Sequence, residues 1–193
     1  MSERFLVLGI VGSPRKGGNT ELLVSEALKV LEGEGLTTDL ITLHDKTIKP
    51  CDACEYCKQH LRCHITDDDM PAIYEKMLKA HGIILASPVY FGSATPQIMA
   101  LIDRAGYQAR AGGRPFERKV GGSIAVARRA GHNFTFAQLN YFFLITGMIV
   151  PGSTYWNVAF GRKRGDVVED EEGLRTIRNF ASNMAWVIKK LYA

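Results

Sequence analysis

Phe5-Leu-Val-Leu-Gly-Ile-Val11, running directly into Gly12-Ser-Pro-Arg-Lys-Gly-Gly-Asn-Thr20, is the stretch on which the fold turns. Its first half is continuously apolar rather than alternating, the pattern of a strand buried on both faces, as strands of a parallel sheet are. Its second half is a glycine-rich turn. From about Thr20, Leu22, Leu23, Ala27, Val30 and Leu31 recur at helical spacing until Gly33 and Gly35 stop them. A buried strand, a glycine turn and an amphipathic helix form the opening half of a βαβ unit.

The turn itself has the chemistry of an anion cradle. Amides at the start of the following helix carry partial positive charge, and glycines let a phosphate approach them closely. Ser13 and Thr20 add hydroxyls, Asn19 an amide and Arg15 a planar fork for phosphate oxygens. Two familiar nucleotide motifs are not matched. Gly12 and Gly17 have Walker A spacing, but Gly18-Asn19 stands where Lys-Ser/Thr is required, and there is no GxGxxG. The competing reading is an ordinary strand-to-helix turn capped by Asn19 or Thr20.

The alternation continues along the chain. Leu36 to Leu43 reads as a second strand and Gly82 to Ala86 as a third, with a helix between them that starts at Asp67 to Asp69, where carboxylates suit the helix dipole. A helix from Pro96 to Arg104 follows. Val120 to Ala127 is strand four, His132 to Thr146 a helix, Met148 to Val150 with Tyr155 to Val158 strand five, and Glu171 to Leu191 the last helix. Strands alternating with helices predict a doubly wound α/β sandwich, and five parallel strands fit the flavodoxin-like order 2-1-3-4-5. Ligands of such sheets lie beyond the carboxyl ends of the strands at the switch point, here beside strands one and three.

That geometry gathers other segments. Ser87-Pro88-Val89-Tyr90-Phe91-Gly92 follows strand three and offers aromatics on which a planar ring can stack, against the competing reading of core packing. Ala127-Arg128-Arg129-Ala130-Gly131 follows strand four, so its amides and arginines face the same place or form a solvated turn. Tyr155 and Trp156 read more simply as a cover over the sheet. At 193 residues and 46% hydrophobic content, the chain is expected to form a single domain over 1–193. No apolar run is long enough to span a membrane, and Met1-Ser-Glu-Arg gives no secretion signal, so the expected location is cytoplasmic. A net charge of +4, with Arg162-Lys163-Arg164 soon followed by acidic residues, gives no nucleic-acid signature.

Every cysteine of the chain lies in Cys51-Asp-Ala-Cys54-Glu-Tyr-Cys57 and the nearby Cys63. The segment, about 48–66, forms a loop after strand two long enough to imply function. Three cysteines at successive steps of three favour a [4Fe-4S] cluster, with Cys63 as the fourth ligand. Zinc remains an alternative, although its structural sites more often use two separated knuckles; His60 and His64 lie close by and could ligate it, but four cysteines already suffice and both read as solvated loop residues. Disulfides would require export, and buried free thiols would not cluster.

Together, Gly12-Ser-Pro-Arg-x-x-Gly-Asn-Thr and Ser87-Pro-Val-Tyr-Phe-Gly resemble the NADPH-dependent FMN reductase group of flavodoxin-like proteins. The cysteine run is similar to that of the iron-sulfur flavoproteins of anaerobic archaea and bacteria. The resemblance implies FMN and one [4Fe-4S] cluster per subunit. Ser13, Arg15, Asn19 and Thr20 would lie on the phosphate. Pro88, Val89, Tyr90, Phe91 and Gly92 would surround the isoalloxazine ring, with Ala127 and Arg128 at its polar edge. It further implies a homodimer or dimer of dimers, cluster-to-flavin transfer across the subunit interface and a ferredoxin as electron donor; the expected function is to pass these electrons to an acceptor such as oxygen or peroxide. The alternatives are an NAD(P)H-dependent FMN or quinone reductase with structural zinc, or a non-enzymatic electron carrier. No side-chain acid or base is assigned.

Overall fold

The computed structural model describes residues 5–192, so the Met1-Ser-Glu-Arg segment lies outside the described residues. The chain runs β1 (Leu6–Val11), α1 (Asn19–Gly33), β2 (Thr37–Thr42), α2 (Tyr56–His60), α3 (Met70–Lys79), β3 (Gly82–Pro88), α4 (Pro96–Ala111), β4 (Val120–Ala127), α5 (His132–Ile145), β5 (Val158–Phe160) and α6 (Glu171–Tyr192). The strands form one parallel sheet in the order β2-β1-β3-β4-β5, as the alternation predicted.

The apolar run of β1 supplies both halves of the core. Val7 and Val11 point to the α1 and α6 side, while Leu8 and Ile10 point to the α3, α4 and α5 side; all four are fully buried. Each such side chain contributes about 1.5–3 kcal/mol of burial, which is why this interior strand has no polar position. In β4, Gly121 and Gly122 let an aromatic from each layer reach the sheet. A Cβ at Gly121 would lie 2.3 Å from Phe143 on α5, and one at Gly122 would lie 2.4 Å from Phe180 on α6.

Strand five differs from expectation. Ile149 makes only an isolated bridge to Val120, and the regular ladder begins at Val158. Pro151 has no N–H to give a ladder. Asn157 then closes onto β4 by its side chain, with Nδ2 donating to the Ser123 carbonyl at 3.1 Å. Helix α4 continues past Arg104 to Ala111, and the stop comes at Gly112-Gly113. The short α2 within the cysteine segment was not expected. The acidic triplet before α3 also does more than greet a helix dipole. Asp69 accepts from the Thr47 amide at 2.8 Å and Asp68 from the Lys49 amide at 2.9 Å, which fixes the chain entering the cysteine segment.

Candidate functional site

A cavity of about 340 Å³ opens at the carboxyl ends of β1, β3 and β4, lined by Ser13, Arg15, Gly18, Asn19, Thr20, Pro88, Val89, Tyr90, Val126, Arg128, Gly161, Arg162 and Arg164. The glycine turn enters it as expected. Gly18 stands at the N-cap of α1 in extended backbone, and no side chain caps this helix start, which leaves first-turn amides to a ligand. Ser13 and Thr20 are buried, and the Ser13 Oγ accepts from the Arg15 amide at 3.2 Å, curling the turn around the cavity.

Asn19 lines the same space but spends its amide on the chain. Its Nδ2 donates to the Lys163 carbonyl at 2.8 Å, and its Oδ1 accepts from the Gly165 amide at 2.8 Å. Arg164 ties the same loop to the glycine turn, its Nε donating to the Gly17 carbonyl at 2.9 Å. These contacts carry Arg162 and Arg164 into the cavity beside Arg15 and Arg128, so guanidinium groups dominate its charged lining. Sequence reasoning did not place this loop there. The available signal was topological, because a loop leaving the carboxyl end of β5 must emerge at the ligand edge.

Pro88, Val89 and Tyr90 line the cavity, whereas Phe91 and Gly92 form the tip of a tight turn beyond it. The Tyr90 amide donates to the Ser93 carbonyl at 2.8 Å and the Ser93 amide returns a bond at 3.0 Å. Both central residues have positive φ, 50° at Phe91 and 80° at Gly92, a type I′ geometry. For a bulky residue such as Phe91 that conformation is strained, and its ring is fully solvent-exposed. The turn is braced from α5 by Gln138, whose Oε1 accepts from the Ala94 amide at 2.9 Å. Ala127 is buried and holds the site indirectly, its carbonyl accepting from the Gly161 amide at 3.0 Å. Tyr155 and Trp156 lie in a different cleft, with Phe136, Leu144 and Pro151.

All four cysteines converge on a second, small cavity of about 60 Å³, shared with Asp52, His64, Ile65, Arg104 and Tyr107. None of them is in a disulfide. The loop folds around this space by turning left-handed at three non-glycine residues, Ala53, Glu55 and Leu61, with φ between 57° and 59°. Each such residue costs on the order of 1 kcal/mol, and all three are exposed, so burial does not compensate. A bond from the thiols to a common metal would.

Asp52 bridges the loop, accepting from the Cys54 amide at 3.3 Å and pairing with His64 Nε2 at 2.8 Å. Hydrogen bonds with Cys54 and then with His64 hold its carboxyl below the usual carboxylate range. Ligand atoms of Asp52, Cys54 and His64 lie within 4.8 Å of one another. The loop rests on α4, where the Cys63 amide donates to Gln108 Oε1 at 3.1 Å. Arg104 from the same helix reaches the Cys63 sulfur and fastens the chain on either side of the cysteines. The two cavities have no lining residue in common.

The chain's residues fit both groups. Four thiols around one small cavity form an all-sulfur donor set suited to an iron-sulfur cluster. The larger cavity combines helix-start amides and arginines with Tyr90, a donor set suited to a phosphorylated planar ligand.

Comparison with known proteins gives the family. The NADPH-dependent FMN reductase family model matches residues 5–163. An iron-sulfur flavoprotein of Methanocaldococcus jannaschii is 43% identical, over 95% of this chain and 97% of that protein. One of Archaeoglobus fulgidus is 36% identical, over 96% of this chain and 98% of that protein. Among solved structures, a WrbA-like flavodoxin from Agrobacterium tumefaciens superposes with a TM-score of 0.67 at 16% identity, covering 97% of this chain and 99% of that one, a likeness of fold. With a cysteine segment inserted after β2 of a flavodoxin-like sheet, and relatives alike over almost their whole length, this chain belongs to the NADPH-dependent FMN reductase family and, within it, to the iron-sulfur flavoproteins.

Proposed function

We propose that this protein is a flavin-dependent oxidoreductase that carries FMN in the cavity at β1, β3 and β4 and a [4Fe-4S] cluster on Cys51, Cys54, Cys57 and Cys63. The observation that carries the reading is the double convergence: the glycine turn, the Tyr90 loop and the arginines meet in one cavity, and every cysteine meets in another. When bound, the cluster supplies one-electron chemistry, and the flavin supplies both one-electron and two-electron chemistry.

The chain's part is binding and orientation. Amides after Gly18, with Ser13, Thr20 and Arg15, receive the phosphate. Asn19 acts through the loop it holds, presenting Arg162 and Arg164. Pro88, Val89 and Tyr90 flank the ring, Arg128 lies at its polar edge, and Phe91 and Gly92 shape the turn that aims Tyr90. Ala127 positions Gly161. No proton-transferring side chain is assigned.

A low-potential ferredoxin is the proposed donor and oxygen or peroxide the proposed acceptor, in the cytoplasm. The cationic flavin edge supports an acidic protein partner. No helix among the described residues is long and apolar enough to cross a membrane. The assembly proposed is a homodimer or dimer of dimers, with the groove between α4 and α5 as the contact face. Met99, Ile102, Tyr141, Leu144 and Ile145 line this groove, which shares Tyr107 with the cysteine cavity. The separation of the two cavities supports electron transfer between subunits.

The Asp52, Cys54 and His64 group favours one other reading, an NAD(P)H-dependent reductase with structural zinc, since zinc accepts mixed nitrogen, oxygen and sulfur donors. Anaerobically purified protein is expected to contain iron, labile sulfide and FMN. Cys57→Ala should abolish the cluster EPR signal while retaining FMN. Zinc without iron or sulfide in the wild type would overturn the cluster assignment.

A further inference from the structure

We propose that Arg104 sets the redox poise of the metal centre, by donating a charged hydrogen bond from Nε to the Cys63 sulfur while Asp68 limits how much of that charge the sulfur feels. This rests on the reading of the four cysteines as iron ligands. The side chains of Arg104 and Asp68 are both 0% exposed, a placement that is rare for either residue type and costly unless the charges are paired and hydrogen-bonded. Here all three guanidinium nitrogens are engaged, through four hydrogen bonds. Nη1 donates to the Asp68 carboxylate and, at 3.2 Å, to the Lys49 carbonyl; Nη2 donates to the Ile65 carbonyl at 2.7 Å. Nε, the remaining nitrogen, donates to Cys63 Sγ at 3.4 Å.

The carbonyls of Lys49 and Ile65 flank the cysteines, so the Nη bonds alone fasten the loop. The bond to sulfur needs another explanation. A neutral thiol is a weak acceptor, and a thiolate bound to iron is a strong one; a guanidinium aimed at sulfur is matched to the second. Arginine keeps its charge in proteins, and the Asp68 carboxylate beside Nη1 balances it in this buried position.

The direction of the effect follows from charge. Reduction adds one electron to the centre, taken from a one-electron donor of the low-potential iron-sulfur protein class, and no proton moves because Arg104 stays cationic. A fixed positive donor on a ligand sulfur stabilises the more negative reduced form and raises the potential. Asp68 faces Nη1 rather than Nε, so it offsets part of that charge without competing for the sulfur. Arg104 is therefore a positioning and tuning residue.

The test is an EPR-monitored redox titration of the holoprotein with its cluster and FMN. In Arg104→Gln the reduced-to-oxidised ratio at the wild-type midpoint should fall roughly tenfold, about 59 mV for a one-electron couple. In Asp68→Asn it should rise, and Arg104→Lys should recover part of the Arg104→Gln loss. FMN content should stay constant throughout. Shifts of the same sign in Arg104→Gln and Asp68→Asn, or shifts below twofold in both, overturn the proposal. Should the variants lose the cluster, electron spin echo spectroscopy of reduced wild-type protein carrying ¹⁵N-guanidino arginine still decides. A ¹⁵N coupling is expected, and its absence from an iron-loaded sample refutes the contact. Wild-type protein without iron instead refutes the cluster reading on which this one rests.

Discussion

Asn19→Ala offers a quantitative test of how the flavin edge is built. The Asn19 amide makes one bond to the Lys163 carbonyl and one to the Gly165 amide, each 2.8 Å, holding in place the loop that carries Arg162 and Arg164. At about 1 kcal/mol net per hydrogen bond, the substitution removes roughly 2 kcal/mol of loop tethering. If that tethering presents the arginines to the ligand, the loss appears in affinity as a roughly 30-fold weaker FMN Kd. Gly161→Ala attacks the same contact from the other side, because its Cβ would lie 2.4 Å from Asn19 Nδ2. The double variant should therefore bind FMN about as weakly as the worse single one, the non-additivity expected of a shared contact. The assay is titration of apoprotein with FMN, followed by quenching of flavin fluorescence. An Asn19→Ala Kd within twofold of wild type refutes the tether, and a double variant whose loss equals the product of the two singles refutes the shared contact.

Two further outcomes concern the fold. Gly121→Ala places a Cβ 2.3 Å from the Phe143 ring and should cost about 2 kcal/mol of overpacking, or roughly 4–8 °C in Tm by calorimetry, with FMN affinity unchanged. Tyr74 is 4% exposed, and burial raises its hydroxyl from 10.0 to about 12, so the folded state favours the neutral phenol. Stability from this group is complete below pH 10 and lost as pH rises through about 12, a change of a few kcal/mol. Tyr74→Phe should move the alkaline unfolding midpoint upward; an unchanged midpoint would mean that the buried hydroxyl is not responsible.

Much of the architecture was written in short-range pattern. The doubly apolar Phe5 to Val11, the glycine turn after it and the cysteine spacing each report on neighbours in sequence, and each was placed where its local chemistry predicted. Strand five failed because Tyr155 to Val158 has strand composition, whereas its pairing depends on what Asn157 and Pro151 do with β4. The arginine loop was legible as charge but not as a site. Its contact with the glycine turn joins residues 147 positions apart. Arg104 carried no signal at all in sequence, since one arginine in an amphipathic helix reads as a solvated face; only the packing of α4 under the cysteine loop buries it.

That packing gives the two centres unequal portability. The cavity proposed for FMN is assembled from loops following β1, β3, β4 and β5, so no single segment can carry it elsewhere. The cysteine cavity hangs from one loop and one helix, anchored through Gln108 and Arg104, with Asp68 at the loop's exit. It is a cassette: a sheet of the same strand order that supplied α4 with those two side chains, and a buried carboxylate opposite, would have the anchorage to display the same four-cysteine loop.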